Sequence, residues 1–319
     1  MKRSALFAPI FGLAACSTGL IACSSGDMMT PVAAIEAPTY SLTDTSLSFT
    51  TGTFTVPTGD SFECFYTPVM SDRPWAVNGA SGMQGPGGHH VVVYYSTIPQ
   101  QPVGHHPCTD QEMTQWRQIA GSAGHNSTGA EGLVTLPDGL AIKVPAGHQI
   151  VMQAHYINAT ANPMTVNDQV TINFVPADHI KAFANYIVGD DDEFQMAPQQ
   201  RLTRSYTCKT PQDVNVVLML GHMHEFGKHF KWDLLDQNQM PVRTLYEKQW
   251  DPTFASHPPL TTFSYDKPLF LPKGTIMRQT CEWENTSNEM VAFPREMCIS
   301  FAYYYPDMGE LSCEKISVQ

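Results

Sequence analysis

From residue 46 onward the chain is built of short apolar or alternating runs separated by Gly, Pro, Asn and Asp. The runs fall at 46–56, 61–69, 89–97, 141–144, 149–158 and 165–174, and a second series follows at 215–236, 261–265, 275–283 and 296–305. Side chains of a strand alternate between faces, so runs of this length with polar turns predict many short antiparallel strands. The fold expected is all-β, two tandem antiparallel β-sandwiches of jelly-roll type. Residues 178–200, with the turn Gly189-Asp190-Asp191-Asp192, divide the two series. The domains expected are therefore 46–180 and 181–319. One helix is predicted over 109–119, capped by Thr109 or Asp110.

Composition narrows the classes. The chain has 319 residues and a net charge of −12; 15% of residues are charged where roughly 25% is usual. The 24 prolines and 22 glycines suit a turn-rich β protein. An acidic chain of this kind is a poor partner for nucleic acid, and it lacks the charge density of a disordered chain or a coiled coil. Residues 1–22 read as an export signal: Lys2 and Arg3 precede an apolar run at 5–15 that is too short to span a bilayer. Leu20-Ile21-Ala22-Cys23 resembles the lipobox of bacterial lipoproteins, as does Leu13-Ala14-Ala15-Cys16, with a plain secretory signal as the competing reading. Cys23 (or Cys16) is then the lipidated residue, and 23–45 a flexible tether. The mature chain is expected outside the cytoplasm, lipid-anchored in a bacterial envelope or secreted, touching membrane only through the anchor. Six cysteines remain, Cys64, Cys108, Cys208, Cys281, Cys298 and Cys313, an even number in an oxidising compartment. Disulfides are expected among them, with 15 pairings open.

The 12 histidines carry the chemistry. In Gly221-His222-Met223-His224 two imidazoles stand two apart on an apolar strand, which sends both to one face as convergent nitrogen donors. His89 and His90 are adjacent, and neighbours on a regular strand point to opposite faces. They meet at one metal only at a strand end or a bulge, which the preceding Gly85-Pro86-Gly87-Gly88 permits. His155 shares a face with Gln153, while Ile150, Met152, Ala154 and Tyr156 form the core face of that strand. His105-His106 reads as surface or as support for a site. The stretch from His224 to His229 is not a zincin helix, since its histidines are five apart in a strand-like context. Serine-hydrolase elbows, P-loops and Rossmann glycine motifs do not occur.

Four motifs in order, His89-His90, Gln153-x-His155-Tyr156, His222-x-His224 with Gly227-Lys228, and Glu296-Met297-Cys298 with Tyr303-Tyr304-Tyr305-Pro306, resemble the copper type II, ascorbate-dependent monooxygenases, the family of dopamine β-monooxygenase and the peptidylglycine α-hydroxylating enzyme. The resemblance runs from about Cys64 to Cys313. It implies two copper ions in separate domains: His89, His90 and His155 holding the one that stores and relays an electron, and His222, His224 and Met297 holding the one where oxygen binds and a C–H bond is attacked. The donor types agree with this, because thioether is soft and favours Cu(I) while imidazole suits both copper states. The resemblance also implies the pairs Cys64–Cys108, Cys208–Cys313 and Cys281–Cys298, the last fixing the segment that carries Met297.

Departures bear on substrate. Where peptide-amidating members hold a peptide carboxylate with Arg, Asn and Tyr, this chain has Leu220, Ile299 and Phe301. Amidation therefore lacks its anchor, and a small neutral or aromatic molecule, or a cationic amine drawn by the net charge, is expected instead, with O2 and ascorbate or a similar one-electron donor as co-substrates. Two other classes compete: a copper-binding envelope lipoprotein that buffers the ion without turnover, and a single-metal cupin-like oxygenase or isomerase, which leaves His89, His90 and Met297 without roles. The sequons at Asn126, Asn158 and Asn285 are expected to be coincidental.

Overall fold

The computed structural model describes residues 38–68, 73–123, 134–191, 193–255, 257–293 and 295–318. Both proposed lipidation cysteines, the signal segment and the Asn126 sequon lie outside these residues. What the alternating runs build is all-β, in sheets none of which closes into a barrel. In the first sandwich, a sheet containing Ser46–Thr50, Gln169–Phe174, Trp75–Met83 and Leu140–Val144 covers a second sheet ordered Gly104–Pro107, Gly59–Tyr66, Ile150–Asn158, Gly88–Ser96, Trp116–Ala123. Their facing side chains share one core, in which Leu47, Val77, Ile142 and Ile172 meet Phe65, Val91, Met152 and Tyr156. In the second sandwich, Ala182–Asp190, Ile299–Tyr305 and Val214–His222 face the sheet ordered Pro241–Gln249, Gly227–Leu235, Ile276–Glu284, Arg201–Lys209, Glu314–Val318. Here Val216, Tyr304 and Ile187 pack on Phe230, Trp232, Met277 and Trp283.

Several boundaries differ from the sequence reading. Residues 46–56 and 165–174 are each two strands, broken at Thr51–Thr53 and at Asn167-Asp168. The helix shrinks to Asp110–Met113, held by a capping box between Thr109 and Glu112. Residues from Trp116 join a strand instead, because Trp116 is buried beside Cys64, Tyr66 and Val151, and that burial outweighs helix propensity. Trp75–Met83 forms a strand that its Asn and Gly residues hide from pattern reading. The segment read as a divider contains the nine-residue strand Ala182–Asp190. That strand pairs in parallel with Leu140–Ile142 on one side and antiparallel with Ile299–Tyr304 on the other. Among the described residues it is the one strand-to-strand pairing that links residues before 180 to those after.

Among the described residues three disulfides are present, Cys64–Cys108, Cys208–Cys313 and Cys281–Cys298. No helix among the described residues is long and apolar enough to cross a membrane. The amides of Asn158 and Asn285 are buried and donate to backbone carbonyls, Pro57 and Asn162 for the first, Ala197 and Glu289 for the second.

Candidate metal centre

The first histidine group forms on two paired strands. His155 stands opposite His90, and the next register pair is Tyr156 with Gly88, so His89 is the extra residue of a β-bulge. This is the irregularity that two adjacent histidines need if both are to turn to one side. The turn leading into it needs its glycines: a Cβ on Gly88 would stand 2.3 Å from Gln84 Cβ, and Gly87 sits at φ +81°. Beneath the turn, the buried Asp168 carboxylate accepts from Gly85 N at 3.1 Å and from the Tyr156 hydroxyl. Burial pushes Asp168 up to about 6 and raises Tyr156.

The result is a convergence of Nδ1 atoms. His89 Nδ1 lies 3.0 Å from His90 Nδ1 and 3.1 Å from His155 Nδ1. Three imidazoles bound to one first-row ion at ~2.0 Å would stand about this far apart. His155 Nε2 is 2.6 Å from Asp60 Oδ1, so its N–H donates to the carboxylate and Nδ1 keeps its lone pair. The hydrogen bond to His155 holds Asp60 below the usual carboxylate range. Phe62, which stands opposite His155 in register, stacks on its ring at 4.2 Å. Lost hydration, with His155 and His224 adding, pulls His89 down to about 3 and holds His90 well below its ordinary value. His89 and His90 are thus neutral donors at neutral pH.

The second group sits where Val214–His222 ends. His222 Nε2 and His224 Nε2 are 3.0 Å apart, with Met223 between them buried. His224 Nδ1 is 3.0 Å from the Arg295 carbonyl, to which it donates, so Nε2 is the free donor atom. Trp250 Nε1 donates to the His224 carbonyl at 3.0 Å. Burial depresses both imidazoles, His222 strongly. His222 pairs with Ile299 at the end of the paired register, and His224 and Met297 follow just beyond it on their two segments. Glu296 ties the two: its Oε1 accepts from His224 N and from Met297 N, and its Oε2 from Phe226 N at 2.9 Å. Met297 itself is half-buried, and its neighbour Cys298 is anchored by the bond to Cys281 and by Gln279 Nε2 on its carbonyl. Glu296 is pushed up to about 7, chiefly by burial.

The two groups feel one another. His224 lowers His89, and both His222 and His224 lower His90. Of the other histidines, His257 also lowers His89. His105 donates to buried Glu63 at 2.7 Å and stacks on Phe65, while His106 meets Glu112. His229 lies on a strand between Glu247 and Glu282, not on a helix. Leu220 and Phe301 stand opposite each other in register as apolar neighbours of the first core. Asp60, Phe62, Glu296 and Trp250 were not assigned roles from sequence. Glu296 lay inside a quoted motif, but only strand register reveals what Asp60 and Phe62 touch.

No family model and no curated protein matches this chain. Solved structures similar to it include that of Sulfolobus turreted icosahedral virus, at 9% identity over 82% of this chain and a TM-score of 0.21. The chain spans about 56% of the length of that structure. PBCV-1 VP54, fitted into a reconstruction of the virophage Sputnik, aligns at 9% identity over 84% of this chain and 92% of its own, TM-score 0.24. A secreted protein from Parabacteroides distasonis aligns at 8% identity over 82% of this chain and 83% of its own, TM-score 0.15. Likenesses this distant carry no argument about function.

Proposed function

We propose that this protein is an exported, copper-dependent monooxygenase that hydroxylates a C–H bond of a small organic substrate, using O2 and ascorbate or a similar one-electron donor. The observation that carries the reading is the pairing of two separate donor sets within electrostatic reach of each other: three Nδ1 atoms around His89, and two Nε2 atoms beside the Met297 segment. Copper fits both, since each nitrogen is left bare by a hydrogen bond at the opposite ring atom or by burial, and no carboxylate competes as a donor within either set. When bound, copper supplies one-electron storage at His89, His90 and His155 and dioxygen activation at His222, His224 and Met297.

The chain's own residues supply position and tautomer. Asp60 and the Arg295 carbonyl fix which nitrogen of His155 and His224 faces inward. Glu296 holds the backbones of His224 and Met297 to one carboxylate, so the sulfur-bearing and nitrogen-bearing segments keep a common register. Ile299 stands opposite His222, and it, Leu220 and Phe301 are apolar where peptide-amidating members carry the groups that hold a carboxylate, which argues against peptide amidation. The three disulfides suit the oxidising compartment implied by the leader, and a lipid anchor at Cys23 or Cys16 belongs to the same proposal.

The test is copper stoichiometry followed by turnover. Reconstituted protein is expected to hold two coppers per chain and to consume O2 with ascorbate only when an amine or benzylic substrate is hydroxylated. Two bound coppers without coupled product would favour a buffering protein, and one iron or zinc per chain would exclude both.

A further inference from the structure

The two sandwiches repeat one plan. Strands Gly59–Tyr66, Gly88–Ser96, Trp116–Ala123 and Ile150–Asn158 of the first stand in the same spatial order as Arg201–Lys209, Gly227–Leu235, Pro241–Gln249 and Ile276–Glu284 of the second. The register agrees residue by residue. Tyr156 pairs with Gly88 and His155 with His90, leaving His89 as the bulge; Trp283 pairs with Gly227 and Glu282 with His229, leaving Lys228 as the bulge. The turns match as well, Gly88 N donating to the Gly85 carbonyl and Gly227 N to that of His224. Each turn rests on a buried carboxylate, Asp168 accepting from Gly85 N and Glu296 from His224 N. Asn158 and Asn285 end the equivalent strands, and each Oδ1 accepts from the amide and hydroxyl of the residue two further on, Thr160 and Ser287. The bulge that gathers three imidazoles in the first sandwich therefore has its counterpart in the second at Lys228, His229 and Glu282.

That counterpart keeps two donors. His229 Nε2 donates to Glu247 Oε1 at 3.1 Å, so Nδ1 carries the lone pair, and it faces Glu282 Oε1 at 3.4 Å. Two electron-pair donors meeting in this way need a cation between them. The separation is long for a charge-assisted hydrogen bond, about 2.7–2.9 Å, and matches the ~3.4 Å edge of a tetrahedron whose ligands stand ~2.1 Å from a metal. Glu247 acts on His229 as Asp60 acts on His155, holding one ring nitrogen and so fixing the tautomer. Lys228 stands in the place of His89, and its Nζ lies 3.9 Å from Glu284 Oε2, a carboxylate that also receives Arg201. The His229 ring is thus left between Glu247 and Glu282, both half-exposed and open to an ion from solvent.

We propose that the bulge of the second sandwich is a third metal position, which takes a divalent cation of the zinc class through His229 Nδ1 and the Glu282 carboxylate, with water completing the shell. Imidazole and carboxylate without sulfur suit such an ion rather than Cu(I). Once bound, it ties Gly227–Leu235 to Ile276–Glu284 at the end of their pairing. The inference is independent of which metal the three-histidine group holds.

The test uses the metal-free full chain with zinc as the probe. Crystals soaked in zinc and measured at the zinc absorption edge are expected to show an ion between His229 Nδ1 and Glu282, and the His229 imidazole resonances should shift saturably with zinc. Glu282→Gln, which keeps the shape and loses the charge, should weaken that binding about tenfold or more. Lys228→His, which restores the third donor of the first sandwich, should tighten it about tenfold or more, and both variants should melt with the parent when zinc is absent. Zinc found only at other histidines, zinc on His229 Nε2 instead of Nδ1, or equal affinity in the parent and Glu282→Gln would overturn the proposal. So would Lys228→His binding zinc no tighter than the parent, because position 228 would then not be the equivalent of 89.

Discussion

At the scale of single residues, the donor nitrogens of His155 and His224 each depend on a neighbour that consumes the opposite ring atom. Removing that neighbour should loosen the metal without unfolding the strand. Asp60→Ala is expected to weaken copper at the three-histidine group by about 10- to 100-fold, with the second group still loaded, as equilibrium dialysis against a competing chelator would show. Met297→Ile keeps side-chain volume but removes the sulfur, so hydroxylation should vanish while the Cu(II) spectrum of His89, His90 and His155 persists. Retained turnover in that variant would remove Met297 from the proposed site. Of these residues, the six proposed ligands were legible in sequence because His-His, His-x-His and Met-Cys are spaced motifs. Asp60, 95 positions from His155, was not, since hydrogen bonds across strands leave no local pattern.

At the scale of elements, the bulge and the buried carboxylate beneath it decide whether adjacent histidines meet. Asp168 has its folded value raised to about 6 from an ordinary 3.8, so its contribution to stability is complete below about 4 and lost as pH rises through 6. Asp168→Asn keeps an acceptor for the Tyr156 hydroxyl but cannot ionise. The stability of the parent relative to this variant is therefore expected to fall between pH 4 and 6 and to be level above it, measured by urea denaturation at several pH values. Equal slopes in the two proteins would show that Asp168 does not carry its charge change across folding. The segment bearing Met297 is held differently, by a disulfide spanning 17 residues. Closing a loop of that size is worth about 3 kcal/mol in the chain-entropy account, so Cys281→Ala with Cys298→Ala should lower the melting temperature by about 6 °C. Cu(I) at the second group should weaken too, with the first group unaffected. Sequence pattern placed many strands but merged those broken at Thr51-Gly52-Thr53, at Asn167-Asp168 and after His222, and it missed Trp116–Ala123, Arg201–Lys209, Pro241–Gln249 and Trp75–Met83, the last a strand whose small residues gain their form from partners on both sides.

At the scale of the whole molecule, neutral histidines clustered in two places make folding sensitive to acid. His89 is pulled to about 3, and His90, His222 and His224 are also lowered, so the stability these groups contribute is present above about 6.5 and lost as pH falls toward 3. Metal-free protein should therefore melt at lower temperature as pH drops below 6.5, and copper should raise the melting temperature most at neutral pH, where donors are bare. A pH-independent melting temperature between 7 and 4 would contradict the neutral-donor assignment. The sequence by itself determined the all-β class, the strand rhythm, the cysteine set and the two histidine motifs, because alternation and spacing are local properties. Only the tertiary structure decided that His89 bulges out to meet His90 and His155, and that Glu296 binds the His224 and Met297 segments together. Each of these depends on the register between strands distant in sequence, and register is fixed by packing the whole core.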